Sequence, residues 1–258
     1  MRSAHDDHLT AHDLATRAGV LLTELRDSWS GDDPRKLRDA GDRESHEFLM
    51  AQLAKICPDD AALSEEGADD PKRRDADRVW IVDPLDGTRE FGEPGRDDWA
   101  VHVALWTKQA GGLTAGAVAL PARELTLSTA VPAPSDQPAR AQGPLIAVSR
   151  TRPPDFVAAV VSKVPGAQAV PMGSAGAKVA AVLLGEVDAY LHAGGQYEWD
   201  SAAPVAVAQA YGVHASRIDG SPLIYNQFPP NLPDLLVCRK ELATVLLDAI
   251  AAVRGEGA

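Results

Sequence analysis

The segment RVWIVDPLDGTREF, residues 78–91, constrains this chain more than any other part of it. Its apolar run Val79–Val82 is short and continuous, the pattern of a buried strand. That strand opens at its mouth onto two acids, Asp83 and Asp86, with Pro84, Gly87 and Thr88 among them. Whatever fold the chain adopts must place these polar groups at the end of a covered strand.

Three chemistries fit such a mouth. Aspartate bonds its own backbone and glycine accepts positive φ, so the residues can form a plain turn. The phosphorylated-aspartate motif of haloacid-dehalogenase phosphatases, D-x-D-G-T, is close in spelling. There one residue separates the acids, whereas Pro84 and Leu85 both intervene here and break that geometry. The third is metal binding: two aspartates three apart can converge on a hard cation, with the Leu85 carbonyl as a further oxygen. A Mg²⁺ site needs more acids. Glu65 and Glu66 end the strand-like LSEEG, Asp200 opens the helix-like EWDSAAP, and Asp42 in AGDRE stands at the expected start of a second helix. Taken singly, acids at helix starts are caps favoured by the helix dipole.

Leu9, Leu14, Ala18, Leu22, Leu25 and Trp29 recur at helical spacing, which predicts an amphipathic helix in the first thirty residues. SGDDPRK breaks it, and Phe48, Leu49, Leu53 and Ile56 mark a second helix from near Asp42 to before Pro58. AALSE, RVWIVD, WAVHVALW, LTAGAVAL and ELTLST follow as strands, so residues 1–130 read as an α+β half. Residues 131–143, rich in proline and alanine, read as a surface loop or linker. From 144 to 258 strands alternate with helices, an α/β half. These are LIAVS, PPDFVAAVVSKV, AQAVPM, SAGAKVAAVLLGE with Ser174 as N-cap, VDAYLH, EWDSAAPVAVAQAYG, DLLVCR and ELATVLLDAIAAV.

Against 37 acidic residues stand 25 basic ones, a net charge of −12 that disfavours nucleic acid as partner. Cys57 and Cys238 lie far apart without metal-ligand spacing, as in a reducing cytosol. MRSAHDDHLTAHDL lacks the layout of a signal peptide, and no apolar run offers a membrane span. A cytoplasmic protein is expected.

The order G-D, S-E-E, W-I-V-D-P-L-D-G-T-R-E-F, E-W-D-S-A-A-P resembles the inositol monophosphatase superfamily of Mg²⁺-dependent, lithium-sensitive phosphatases, over nearly the whole chain. The resemblance implies a five-layer αβαβα sandwich with the site between its halves. It implies Glu65, Asp83, Asp86 and Asp200 as side-chain ligands of two or three Mg²⁺ ions, joined by the Leu85 carbonyl. A metal shared by Glu65 and Asp83 would activate water, and Thr88, oriented by Asp42, would relay its proton. Asp83, Asp86 and Asp200 would hold a second metal by the leaving oxygen, and the N–H groups of Gly87 and Thr88 would receive phosphate oxygens. KLRDAGD departs from the proline–x–threonine stretch that usually precedes this aspartate, which puts the Asp42–Thr88 pair in question. Homodimers are common in the family.

DGTREF is similar to the 3'(2'),5'-bisphosphate nucleotidase (CysQ-like) branch rather than to the threonine–asparagine–phenylalanine of inositol monophosphatases. GSAGAK and VSRTRPP resemble nucleotide-contacting segments of that branch, which implicates Ser149, Arg152, Ser174 and Lys178 together with Asp86 and Asp200 in binding substrate. The expectation is hydrolysis of 3'-phosphoadenosine 5'-phosphate to AMP and phosphate, a step of sulfate assimilation. Inositol phosphate or fructose 1,6-bisphosphate hydrolysis on the same site, or a non-catalytic nucleotide or Mg²⁺ sensor, are the alternatives. Plainer roles compete for single residues: Ser174 as a cap, Lys178 as a solvated charge, Arg89 paired with Glu90 or Glu93. His102 and His192 are expected to be packed or hydrogen-bonded rather than metal ligands. The aromatics of GGQYEW could contact a base but are expected in the core, and Tyr225 and Asn226 are expected in a turn without a role.

Overall fold

The computed structural model describes residues 4–133, 142–151, 153 and 155–256. Residues 134–141 of the expected linker, and Arg152, lie outside the described residues.

Two long helices, α1 (Ala4–Ser28) and α2 (Pro34–Ile56), open the fold. Helix α2 begins at Pro34 and not near Asp42. Asp33 caps it by accepting the Arg35 N–H, and Pro34 takes the first turn, where its missing N–H costs nothing. Asp42 therefore sits mid-helix, between buried Gly41 and Ser45.

The first sheet holds β1 (Ala61–Ser64), β2 (Arg78–Asp86), β3 (Ala100–Thr107), β4 (Gly112–Leu120) and β5 (Leu125–Ser128), in that spatial order. Strand β1 runs parallel to β2, and the other pairs are antiparallel. A four-residue helix, α3 (Thr88–Phe91), follows β2. The second sheet contains β6 (Leu145–Ser149), β7 (Gln168–Met172), β8 (Ala189–Ala193), β9 (His214–Ser216) and β10 (Asp234–Cys238), ordered β7-β6-β8-β10-β9. Its helices are α4 (Asp155–Lys163), α5 (Ala175–Leu183), α6 (Glu198–Ala210) and α7 (Ala243–Glu256). Strand β9, absent from the elements expected above, has three residues, too few to show a period.

Side chains of β2 alternate between two cores, which is why its run is apolar throughout. Trp80 and Val82 pack with Leu14, Leu22 and Leu49 of α1 and α2, while Val79 and Ile81 face a core shared with α5 and α6. Every residue of α5 is buried, because a sheet covers it on either side. Beyond the second sheet, Val160 of α4 and Leu246 and Ile250 of α7 cover Ile146 and Leu236. The layers run α1/α2, sheet, α5/α6, sheet, α4/α7, the expected αβαβα sandwich. None of the described helices is long and apolar enough to cross a membrane.

Candidate metal centre

Strand β2 loses its regular pairing with β3 between Asp83 and Asp86, where Pro84 has no N–H to offer the ladder. The Pro84 carbonyl accepts the Ser45 hydroxyl at 2.7 Å, and the Leu85 N–H donates to Asp83 Oδ1 at 3.1 Å. Both acids stay buried, at 1% and 8% exposure. Gly87 then turns the chain with φ 87°, a conformation that disfavours a side chain, and a Cβ there would meet that of Ser174 at 3.0 Å. Thr88 Oγ1 lies 3.2 Å from Asp42 Oδ1 and 3.1 Å from the Leu85 carbonyl, with one proton to give. Mid-helix placement thus brings Asp42 to Thr88 although its preceding residues depart from the family's text. Burial, and secondly Glu66, raise the Asp42 carboxyl to about 7.

Asp86 is fixed from the second half of the chain. Its Oδ2 accepts the Ser174 hydroxyl at 2.5 Å and the Gly176 N–H at 2.6 Å. Ser174 also accepts the Ala177 N–H at 3.0 Å, so its capping role and its contact with the site coexist. His102, fully buried on β3, has Nδ1 3.1 Å from the Trp199 carbonyl, the hydrogen bond expected of a packed histidine. Its Nε2 lies 3.2 Å from Asp86 Oδ2 but off the line of a hydrogen bond, and so is buried without a partner. A Cβ on residue 176 would fall 2.1 Å from that nitrogen, so only glycine fits. Burial opposes ionisation of Asp86, yet His102, Ser174 and the Gly176 N–H outweigh it and hold the carboxyl below its ordinary range.

The remaining acids lack such donors. Glu65 is exposed as a residue, yet enclosure by its neighbours, followed by repulsion from Asp200, raises its carboxyl to about 7. Asp83 is pushed well above its ordinary value by burial, then by Glu65, Asp86 and Asp200. Asp200, whose Oδ2 accepts the Tyr197 N–H at 2.7 Å, still rises to about 6 through burial and Asp86. Glu65, Asp83 and Asp200, each raised by burial and by neighbouring acids that include the ionised Asp86, are short of positive charge, and a divalent cation would supply it. Asp83, Asp86 and His102 can each bring a ligand atom within 4.8 Å of the others. The oxygen-rich donor set suits a hard ion.

The nucleotide-contact candidates divide. Lys178 is 5% exposed and not a solvated charge: its Nζ donates to the Gly173 carbonyl at 2.9 Å and lies 5.0 Å from the Tyr190 ring centre. Ser149 is half-buried at the end of β6, opposite Met172. Arg150 takes both Glu90 and Glu93, so the expected pairing of Arg89 is not formed; Arg89 is exposed, and no carboxylate among the described residues pairs with it. Of the GGQYEW aromatics, Trp199 packs partly against the core, but Tyr197 is 44% exposed, which corrects the expectation for that residue. Tyr225 is buried with its hydroxyl 3.1 Å from Ser201, and Asn226 turns the chain at φ 62°.

Comparison with known proteins identifies the family and the fold. The inositol monophosphatase family model matches residues 7–253. A "3'-phosphoadenosine 5'-phosphate phosphatase" of Mycobacterium tuberculosis is 55% identical over 239 residues, covering 91% of this chain and 89% of that protein. The protein of that name from Mycobacterium leprae is 51% identical over 256 residues, covering 96% and 94%. Among solved structures, CysQ from Bacteroides thetaiotaomicron superposes with a TM-score of 0.77 at 24% identity, over 92% of this chain and 98% of that one.

Proposed function

We propose, from the premise that this chain belongs to the inositol monophosphatase family and is a metal-dependent phosphatase, that it hydrolyses 3'-phosphoadenosine 5'-phosphate to AMP and phosphate. What carries the substrate assignment is the 55% identity, across nearly all of both chains, to a phosphatase named for that compound. What supports the chemistry is that Asp83 and Asp86 bring ligand atoms within 4.8 Å of each other, with Glu65 and Asp200 near enough to raise the Asp83 carboxyl, and that Thr88 is hydrogen-bonded to Asp42.

In this reading those four carboxylates and the Leu85 carbonyl hold Mg²⁺, two or three ions in all. Bound cations supply charge that neutralises the phosphate and makes a water acidic. The protein's own part is positional. Ser174 and the Gly176 N–H occupy Asp86 Oδ2 and leave Oδ1 to a cation. Thr88 Oγ1 stands between an attacking water and Asp42, whose carboxyl near 7 can take up a proton at neutral pH and release it again. Lys178 adds positive charge from behind Gly173, and Ser149 and Arg89 meet the nucleotide's sugar or second phosphate. A cytoplasmic homodimer, with halves 1–130 and 144–258 closing on the site, completes the proposal.

The test is a panel of 3'-phosphoadenosine 5'-phosphate, inositol 1-phosphate and fructose 1,6-bisphosphate, assayed for phosphate release with Mg²⁺ and with Li⁺ added. The reading requires the highest kcat/KM on the adenosine compound. A preference for inositol 1-phosphate would overturn the substrate, and no metal-dependent release from any of them would overturn the activity.

A further inference from the structure

Six large apolar side chains are prominently exposed among the described residues: Leu9, Val20, Tyr197, Ile224, Phe228 and Val245. Three of them share one corner of the molecule. Tyr197 precedes the first turn of α6, and the loop carrying Ile224 and Phe228 is tied to that turn. Glu198 accepts the N–H groups of Asn226 and Gln227 at 2.7 and 2.6 Å, and Tyr197 bridges to Asn231. The corner adjoins the acids, since the Tyr197 N–H donates to Asp200 at 2.7 Å and the Trp199 carbonyl faces His102 at 3.1 Å.

The Tyr197 ring lies on Trp199 with centroids 4.7 Å apart and planes within 10°. With one face on Trp199, an exposure of 44% leaves the other face to water. Gly194 and Gly195, just before it, border open space. Leaving three large apolar groups in water beside a cage of carboxylates forfeits burial energy unless a ligand covers them. That ligand must join a phosphate to a flat apolar group. Inositol and fructose present hydroxyls and no π face; a purine presents one, and base–aromatic stacking is favourable whatever the base's hydrogen-bond edge.

We infer that Tyr197, held flat by Trp199 on the surface to which the Ile224–Phe228 loop is tied, is the platform on which the substrate's nucleobase stacks, and that it sets the preference for nucleotides over polyol phosphates. The inference rests on the adenosine-substrate reading above. It makes Tyr197 a specificity-determining residue with no part in the bond-breaking step.

The experiment compares Y197S, Y197F and Y197W with the wild type on 3'-phosphoadenosine 5'-phosphate and on inositol 1-phosphate. Serine is a favoured N-cap, and the bond to Asp200 comes from the backbone, so Y197S keeps the start of α6. The expected result is a KM for the adenosine substrate about five- to hundredfold higher in Y197S, with kcat nearly kept and the slow inositol reaction unchanged. Y197F and Y197W should match the wild type. Equal losses on both substrates, or an unchanged adenosine KM in Y197S, would overturn the inference. A wild type inactive on the adenosine compound would instead overturn the substrate reading and remove this one's basis.

Discussion

Asp83 and Asp86 leave one strand three residues apart, both buried, and their surroundings could hardly differ more. Asp86 receives a hydroxyl and a backbone N–H from the second half of the chain and has the His102 imidazole of the neighbouring strand 3.2 Å away, and its carboxyl is held low. Asp83 receives one backbone N–H, has the His102 ring no nearer than 3.9 Å and is crowded by other carboxylates, and its carboxyl is driven high. The same residue type thus does opposite work. Asp86 is a preformed anion whose position the second half of the chain dictates, whereas Asp83 and Glu65 form the end of the cage that only a cation can settle. Electrostatic preorganisation here is lopsided: one wall is built, the other waits on charge.

Breaking either wall should abolish turnover, and the two breaks should part company on stability. D83N and D86N are each expected to lose about a thousandfold or more in phosphate release, since each removes a ligand carboxylate. Thermal melts without metal should then separate them. D83N removes a repelled charge and should melt above the wild type. D86N puts an amide among the donors of Ser174 and Gly176 and should melt below it. Matching shifts in one direction would refute the contrast.

Next in size is T88A, which leaves both walls standing and removes the hydroxyl bonded to Asp42; kcat should fall by about a hundred- to ten-thousandfold at unchanged Mg²⁺ affinity. S174A sharpens the contrast from the Asp86 side. It should weaken Mg²⁺ activation about ten- to a hundredfold, as loss of a ligand's orienting partner does, and the lost cap should lower stability by about 1 kcal/mol.

The smallest effect tests the other wall by pH. The Glu65 carboxyl, ordinarily near 4.5, is raised to about 7 in the folded, cation-free protein. Between those values the folded chain holds a proton that the unfolded chain has released, so this group's contribution to stability falls as pH rises through the window. Glutamine does not titrate. The melting-temperature advantage of E65Q over wild type should therefore grow from pH 4.5 toward 7 and then level off. Saturating Mg²⁺, which binds the folded wild type, should cancel it. An advantage independent of pH would show that Glu65 is not crowded.

Much of this arrangement was written in local sequence. The apolar run of β2 and the alternation after residue 144 sufficed for the layers, and the spelling around β2 for the approach of Asp83 and Asp86, because periodicity and spacing are local properties. What escaped depends on partners remote in the chain. Pro34 reads as a breaker until Asp33 is seen capping a helix that it begins. His102 in WAVHVALW looks like one more core residue until strand register sets it opposite Asp83. Lys178, implicated in binding substrate, had a surface charge as its plainer alternative, and alanine-rich α5 does not announce that sheets cover it on both sides. Tyr197 reads as core because sequence does not reveal that its ring lies on Trp199 and not beneath it. Each miss is a matter of which face meets what.

The fit of the His102 imidazole against the bare backbone of residue 176 carries an evolutionary corollary. Positions 102 and 176 are not free to drift separately: alanine at 176 has nowhere to go until the ring opposite has been traded for something smaller, and then the glycine is no longer compulsory. Descendants of this chain should inherit the two residues as a linked pair, and a double substitution should be milder than the alanine alone.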